Sequence, residues 1–215
     1  MDGPDLVFNL ASIYGWDKTN LIPAVLEIAG VRYTGSGILG LSLARNYTRL
    51  FPLLFNSGIR VPAFAVITVG NPSPVGLRYP LTLLHDGLQC GFSLRNPEDL
   101  HQTLALFPAG EEVLLLEQMA GERLSLFILD RSPFPGAGDR LYLAAARKAY
   151  DVMEARGLAR FDFIRSDQPV LERVEITPDP LEEQFLQTAA SAGWDEDRLL
   201  QTLLQHSGRD LSPGV

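Results

Sequence analysis

Few residues in this chain have a type and spacing that could do chemistry, and they lie far apart along it. Cys90 is the lone cysteine. Its thiol would act as a nucleophile only beside a base, and His85 is the one candidate nearby. A packed or half-exposed thiol is the plainer reading. The three histidines, His85, His101 and His206, are scattered, so no cluster of Cys and His reads as a zinc site. Gly87 and Gly91 flank a short turn. Arg160 and Asp162 stand two apart in a strand-like stretch, which puts both side chains on one face; by default they form a surface ion pair.

Short apolar runs, punctuated by glycine and proline, predict the elements that carry these residues. Residues 6–10 read as a buried strand. Residues 19–30 read as a helix capped by Thr19, with Leu21, Ile22, Val25 and Ile28 on one face and Gly30 at its end. A strand at 31–34 and one helix over 38–56 follow. Strands are expected at 63–69 and 79–84, separated by a loop at 70–74. Asn96 caps a helix at 96–106, with Pro97 in its first turn. Two more strands, 113–117 and 124–129, lead to a loop over 131–139. An amphipathic helix spans 141–156. Residues 159–164 and 170–176 pair as a hairpin, which brings Asp162 and Glu175 onto adjacent strands. Helices at 181–192 and 195–205 close the pattern.

Composition bounds what such a chain can be. Its 215 residues are 46% hydrophobic and 20% charged, enough to build a core in one domain or two small ones. The net charge of −8 argues against nucleic acid or an anionic membrane as a partner. One cysteine excludes an intramolecular disulfide and suits a reducing compartment. The acidic start, Met1-Asp2-Gly3-Pro4-Asp5, has no apolar core of a signal peptide, and no apolar run approaches the ~20 residues of a membrane helix. A cytoplasmic location is expected.

Five segments carry a resemblance over nearly the whole chain. Tyr14-Gly15-Trp16-Asp17-Lys18-Thr19, the stretch from Val25 to Gly37, Asn56-Ser57-Gly58-Ile59-Arg60-Val61-Pro62, Gly157-Leu158-Ala159-Arg160-Phe161-Asp162-Phe163 and Val174-Glu175-Ile176-Thr177-Pro178 occur in this order. In wording and order they resemble the D-alanine–D-alanine ligases of the ATP-grasp superfamily. The resemblance implies an α/β protein with α+β lobes: a shortened N-terminal α/β domain over 1–61, then an ATP-grasp-like unit over 62–215. Its small lobe would cover about 62–122 and its large lobe about 123–215.

The resemblance also implies ATP and Mg²⁺, with an acyl phosphate made from a carboxylate and then attacked by an amine. Arg160 takes the position of the family's catalytic arginine. Asp162 and Glu175 take those of metal ligands, and Thr177 stands where the family has a ligand asparagine. Glu117, Gln118 and Met119 match the hinge that reads the adenine, and Gly87 and Gly91 match the glycines of the phosphate loop.

Much else departs from the family. Its two phosphate-binding lysines align with Tyr47 and Leu84, the loop serines with Leu88 and Gln89, the ribose glutamate with Arg123, and a substrate-binding glycine with Leu181. These departures predict a catalytically silent protein that acts as a binding or assembly subunit. The alternative is an active ATP-dependent carboxylate–amine ligase with a rebuilt or partner-completed site. The small-molecule ligand stays unnamed. Self-association, or pairing with an active homologue, is expected near the N-terminal strand, where a sheet edge or apolar face lies open.

Overall fold

The computed structural model describes residues 6–9, 21–71, 76–86, 91–133, 139–176, 183–191 and 193–206. Two four-stranded antiparallel sheets organise it. In the first, the order is β1 (Phe64–Thr68), β4 (Glu112–Glu117), β2 (Leu81–His85) and β3 (Phe92–Leu94). In the second, it is β6 (Ser132–Pro133), β5 (Arg123–Leu129), β7 (Leu158–Ile164) and β8 (Val170–Ile176). Two antiparallel sheets are what the α+β lobes implied by the resemblance require. β3 carried no clear sequence signal: three residues are too few for an alternation to register.

Helix α4 (Pro97–Leu104) covers one face of the first sheet through Leu100 and Leu104, which pack with Ile67, Leu81, Leu83, Val113 and Leu115. Its start follows the sequence reading: the Asn96 side chain accepts the Asp99 N–H at 2.9 Å. Helix α5 (Arg140–Val152) packs Tyr142, Ala146, Ala149 and Tyr150 against Leu126, Ala159, Phe161 and Phe163 of the second sheet. It stops four residues short of the expected Arg156, where Glu154 takes a left-handed conformation (φ 49°) and the Ala155 N–H donates back to the Tyr150 carbonyl. Helices α6 (Glu183–Ser191) and α7 (Glu196–His206) bring Phe185, Ala189, Leu199 and Leu203 onto Phe127, Leu129 and Leu158.

The expected single helix over 38–56 is two helices, α2 (Ile38–Arg45) and α3 (Tyr47–Asn56). Asn46 is the break: its φ/ψ of −105°/84° is not helical, and its side chain accepts the Arg49 N–H, as the cap of α3. The apolar pattern runs through the break, which is why periodicity alone reads it as continuous. Helix α3 is wedged between the sheets. Leu50 and Leu54 join the core of the second sheet, while Phe51 packs on Leu114 and Leu116 of the first. All three are nearly inaccessible, so each contributes ~1.5–3 kcal/mol of burial.

Before this wedge lies helix α1 (Leu21–Ile28), which ends at Gly30 (φ 65°) as expected. Its apolar face is exposed rather than buried; Pro23 is its buried residue. Residues 6–9 make a parallel bridge from Val7 to Tyr33, with Val7 N–H donating to the Arg32 carbonyl and Thr34 N–H to the Val7 carbonyl. The strands expected at 6–10 and 31–34 are therefore a single bridge among the described residues.

Candidate functional site

The alternation of β7 decides which side chains face the helices and which do not. Ala159, Phe161 and Phe163 point into the core under α5. Arg160 and Asp162 point to the opposite face. Register carries that face across the sheet. Asp162 stands opposite Ser125 on β5 and Arg173 on β8, and Arg160 stands opposite Glu175. Arg160, Asp162, Arg173, Glu175 and Ser125 therefore share one surface. A register shift after Asp162 displaces the pairing by one residue, so Leu171 can face the core like Val174 and Ile176.

Asp162 is the buried member, and a buried carboxylate needs partners. Its Oδ1 accepts from Ser125 Oγ at 2.6 Å and from Arg160 Nε at 2.8 Å. On β8, Arg173 lies 3.4 Å from the Glu175 carboxylate. Both carboxylates are thus already paired with guanidiniums. Magnesium seeks carboxylates and waters in near-octahedral oxygen coordination, and two carboxylates matched by two guanidiniums do not fit it as they stand. Among the described residues no group of three or more His, Cys, Asp and Glu is placed to hold a metal ion. Thr177 and Gly87 lie outside the described residues, as do Leu88, Gln89, Cys90 and Leu181.

The N-terminus of α3 lies within electrostatic reach of Arg173 and Glu175. The Tyr47 N–H donates to Asp86 Oδ1 at 2.6 Å, and the Thr48 hydroxyl donates to Oδ2 at 3.1 Å. Asp86, just past the end of β2, so places a carboxylate on the positive end of the helix. Burial pushes the Tyr47 phenol above its ordinary pKa, while the positive charge of Arg173 pulls it back. Tyr47 and Leu84 both pack against the apolar cluster of Phe51, Leu114 and Leu116. The two positions where the resemblance implies lysines are therefore parts of one apolar contact. Neither side chain supplies a positive charge for a nucleotide's phosphates, and the helix end already holds a carboxylate.

The hinge residues are held tightly. Glu117 accepts the Arg78 N–H at 2.8 Å and pairs with its guanidinium, and this backbone donor, foremost, holds the carboxyl below its usual range. The Gln118 side-chain amide donates to the Leu81 carbonyl and to the Thr82 and Ser93 hydroxyls, tying β4's end to β2 and β3. Met119 follows, half-buried. Arg123, at the position of the ribose glutamate, makes two bonds to Glu172, at 2.7 and 2.9 Å. Gly91 lies so close to β2 that a Cβ would meet Thr82 Cγ2 at 2.6 Å and Leu84 Cδ2 at 2.7 Å. Close packing is thus sufficient reason for glycine at 91.

Sequence reasoning missed Arg173, Asp86, Ser125 and Glu172. Arg173 shares strand parity with Glu175, a signal that was present. The roles of Ser125 and Glu172 depend on register, and that of Asp86 on how α3 docks; neither leaves a local mark.

With this geometry in place, comparison with known proteins shows what the chain is similar to. The fold matches that of a D-alanine–D-alanine ligase from Bacillus anthracis crystallised with ATP, with a TM-score of 0.81 over 94% of this chain and 78% of that one. Identity across the match is 21%, a level that speaks for fold. The chain has the ATP-grasp fold of the D-alanine–D-alanine ligases and is similar to them in sequence. In sequence it is 33% identical over 127 residues to a D-alanine–D-alanine ligase of Syntrophotalea carbinolica. It is 32% identical over 130 residues to an uncharacterised protein of Sinorhizobium fredii. These matches cover 57% and 58% of this chain but only 41% and 39% of the relatives, so the chain matches about two fifths of their length. No family profile matches the chain. Among the described residues no helix is long and apolar enough to cross a membrane.

Proposed function

We propose that this protein is a catalytically silent ATP-grasp protein that serves as a binding or assembly subunit. The observation that carries the reading is the packing of Tyr47 and Leu84 on one apolar cluster, where the resemblance implies two lysines. Phosphoryl transfer depends on positioning and on neutralising phosphate charge. A charged hydrogen bond is worth ~1.5–3 kcal/mol, so two lost lysines weaken phosphate binding by ~3–6 kcal/mol, or about 10²–10⁴-fold. Asp86 adds a negative charge on the same side. Arg123, engaged with Glu172, offers no acceptor for ribose hydroxyls.

The assembly half of the reading rests on the exposed apolar surface of α1 and α2, where Leu21, Val25, Ile28 and Leu39 face solvent. A second copy or an active homologue would cover it. The proposed division keeps residues 1–61 as the carrier of this surface and 62–215 as the ATP-grasp-like unit.

The test is phosphate release from ATP with Mg²⁺ across a panel of amino acids, using the purified chain and Asp162→Ala. The expected result is no turnover in either protein, and no rise in Tm with Mg·ATP. Turnover that disappears in Asp162→Ala would overturn this reading and establish an active carboxylate–amine ligase.

A further inference from the structure

We infer that Arg173, together with Arg160, takes over the electrostatic role that a divalent cation would have between Asp162 and Glu175, so that this face is built to hold together without metal. The inference rests on the reading above for which face is concerned, and it assigns Arg173 a role that the resemblance does not supply.

Register makes the case. Arg160 stands opposite Glu175, and Asp162 stands opposite Arg173. Signs therefore alternate along each strand and between the strands. Each carboxylate has one guanidinium two residues away and another directly across, at the Cβ separations of about 4.5–5.5 Å that let cross-strand pairs interact. Two positive and two negative groups leave the quartet neutral. With Arg160 alone the same face would carry one net negative charge and would still attract a cation. Arg173 is the residue that completes the compensation.

The tight half of the quartet confirms what a metal would have to displace. Asp162 Oδ1 already holds the Arg160 Nε–H and the Ser125 hydroxyl, in a setting where Arg160 and Asp162 side chains are only 14% and 9% exposed. Arg173 is more open, at 59%, and its 3.4 Å approach to Glu175 is loose. Its contribution is therefore charge rather than a fixed hydrogen bond. A dication entering between the carboxylates would meet two guanidiniums at close range, in surroundings that screen charge less than water does.

The experiment titrates the full chain with Mn²⁺, following free ion by electron paramagnetic resonance and recording Tm with and without the ion. Three proteins are compared: the natural chain, Arg173→Leu, and Arg173→Leu combined with Asp162→Asn. The natural chain should show no saturable Mn²⁺ site in the millimolar range and no shift in Tm. Arg173→Leu should bind at least about tenfold more tightly and gain Tm with Mn²⁺, since binding to the folded state stabilises it. The double variant should lose both effects, which separates this site from surface carboxylates. If Arg173→Leu lacks a cooperative melt, Arg173→Gln serves instead with the same expectations. A natural chain that binds Mn²⁺ through Asp162 would overturn the inference, as would a folded Arg173 variant that gains no site. Mn²⁺ binding without ATP turnover would sink this inference alone, whereas Asp162-dependent turnover would sink the functional reading.

Discussion

Single residues show how a likeness in sequence can have a different physical cause. Gly91 reads as a phosphate-loop glycine, yet its closest neighbours are the β2 side chains and the Leu83 carbonyl oxygen, which a Cβ would meet at 3.0 Å. Gly91→Ala should therefore destabilise the chain by ~1–3 kcal/mol, read as a lower urea midpoint at unchanged slope. An unchanged midpoint would show that β2 yields freely there. Tyr150 makes the same point for ionisation. Its hydroxyl donates to the Gly157 carbonyl at 2.8 Å, and burial pushes its phenol well above the ordinary 10.0. Below pH 10 the folded and unfolded chains both keep this proton. As pH rises past 10 only the unfolded chain releases it, so stability falls. Tyr150→Phe should cost ~1–3 kcal/mol near neutral pH and flatten the alkaline decline in Tm. At this scale Asp162 and Glu175 were legible from strand parity and resemblance, and Arg173 was legible from parity alone. Ser125 was not, because only the β5–β7 register sets it opposite Asp162.

Helix α3 decides the geometry of the element scale, since it touches both sheets and places Tyr47 at the site. Two carboxamide or carboxylate groups hold its start: Asn46 from within the chain's own turn and Asp86 from the end of β2. Asn46→Ala should cost about 1 kcal/mol, the usual worth of a cap. Asp86→Ala should cost more, because it releases the Tyr47 N–H and the Thr48 hydroxyl together and frees the β2 end from the helix. Chemical denaturation of both variants checks the order; equal losses would mean that Asp86 adds nothing beyond capping. The longer strands and α4, α5, α6 and α7 were legible because their periods and caps are local, whereas β3 and β6, the latter inside the expected loop over 131–139, are too short to show a period. The break at Asn46 was not, because an apolar stripe continues through it and the cap is made by a residue with no special context. The exposure of α1 was not legible either: periodicity shows that a helix has an apolar face, never what covers it.

At the scale of the molecule, the uncovered face is the feature that most demands a consequence. Leu21 and Val25 on α1 are each 63% exposed and Ile28 is 89% exposed, with Leu39 on α2 at 48%. Isolated apolar residues on a surface need no explanation, but four on two helices that touch each other make a patch. Covering it removes apolar area from water at ~25 cal/mol per Å², a gain that works against the entropy cost of association. The net charge of −8 opposes close approach at low ionic strength and is screened beyond about 8 Å at physiological salt. Association should therefore strengthen as salt rises, the reverse of an interface held by ion pairs. Light scattering on the purified chain should show a dimer or larger species that persists in high salt. Val25→Asp combined with Ile28→Asp should shift it to monomer while leaving the far-ultraviolet circular dichroism unchanged, because neither side chain is buried in the fold. A natural chain that stays monomeric at high concentration in high salt, and recovers no homologue from cells, would remove the assembly half of the proposed function and leave this face without a role.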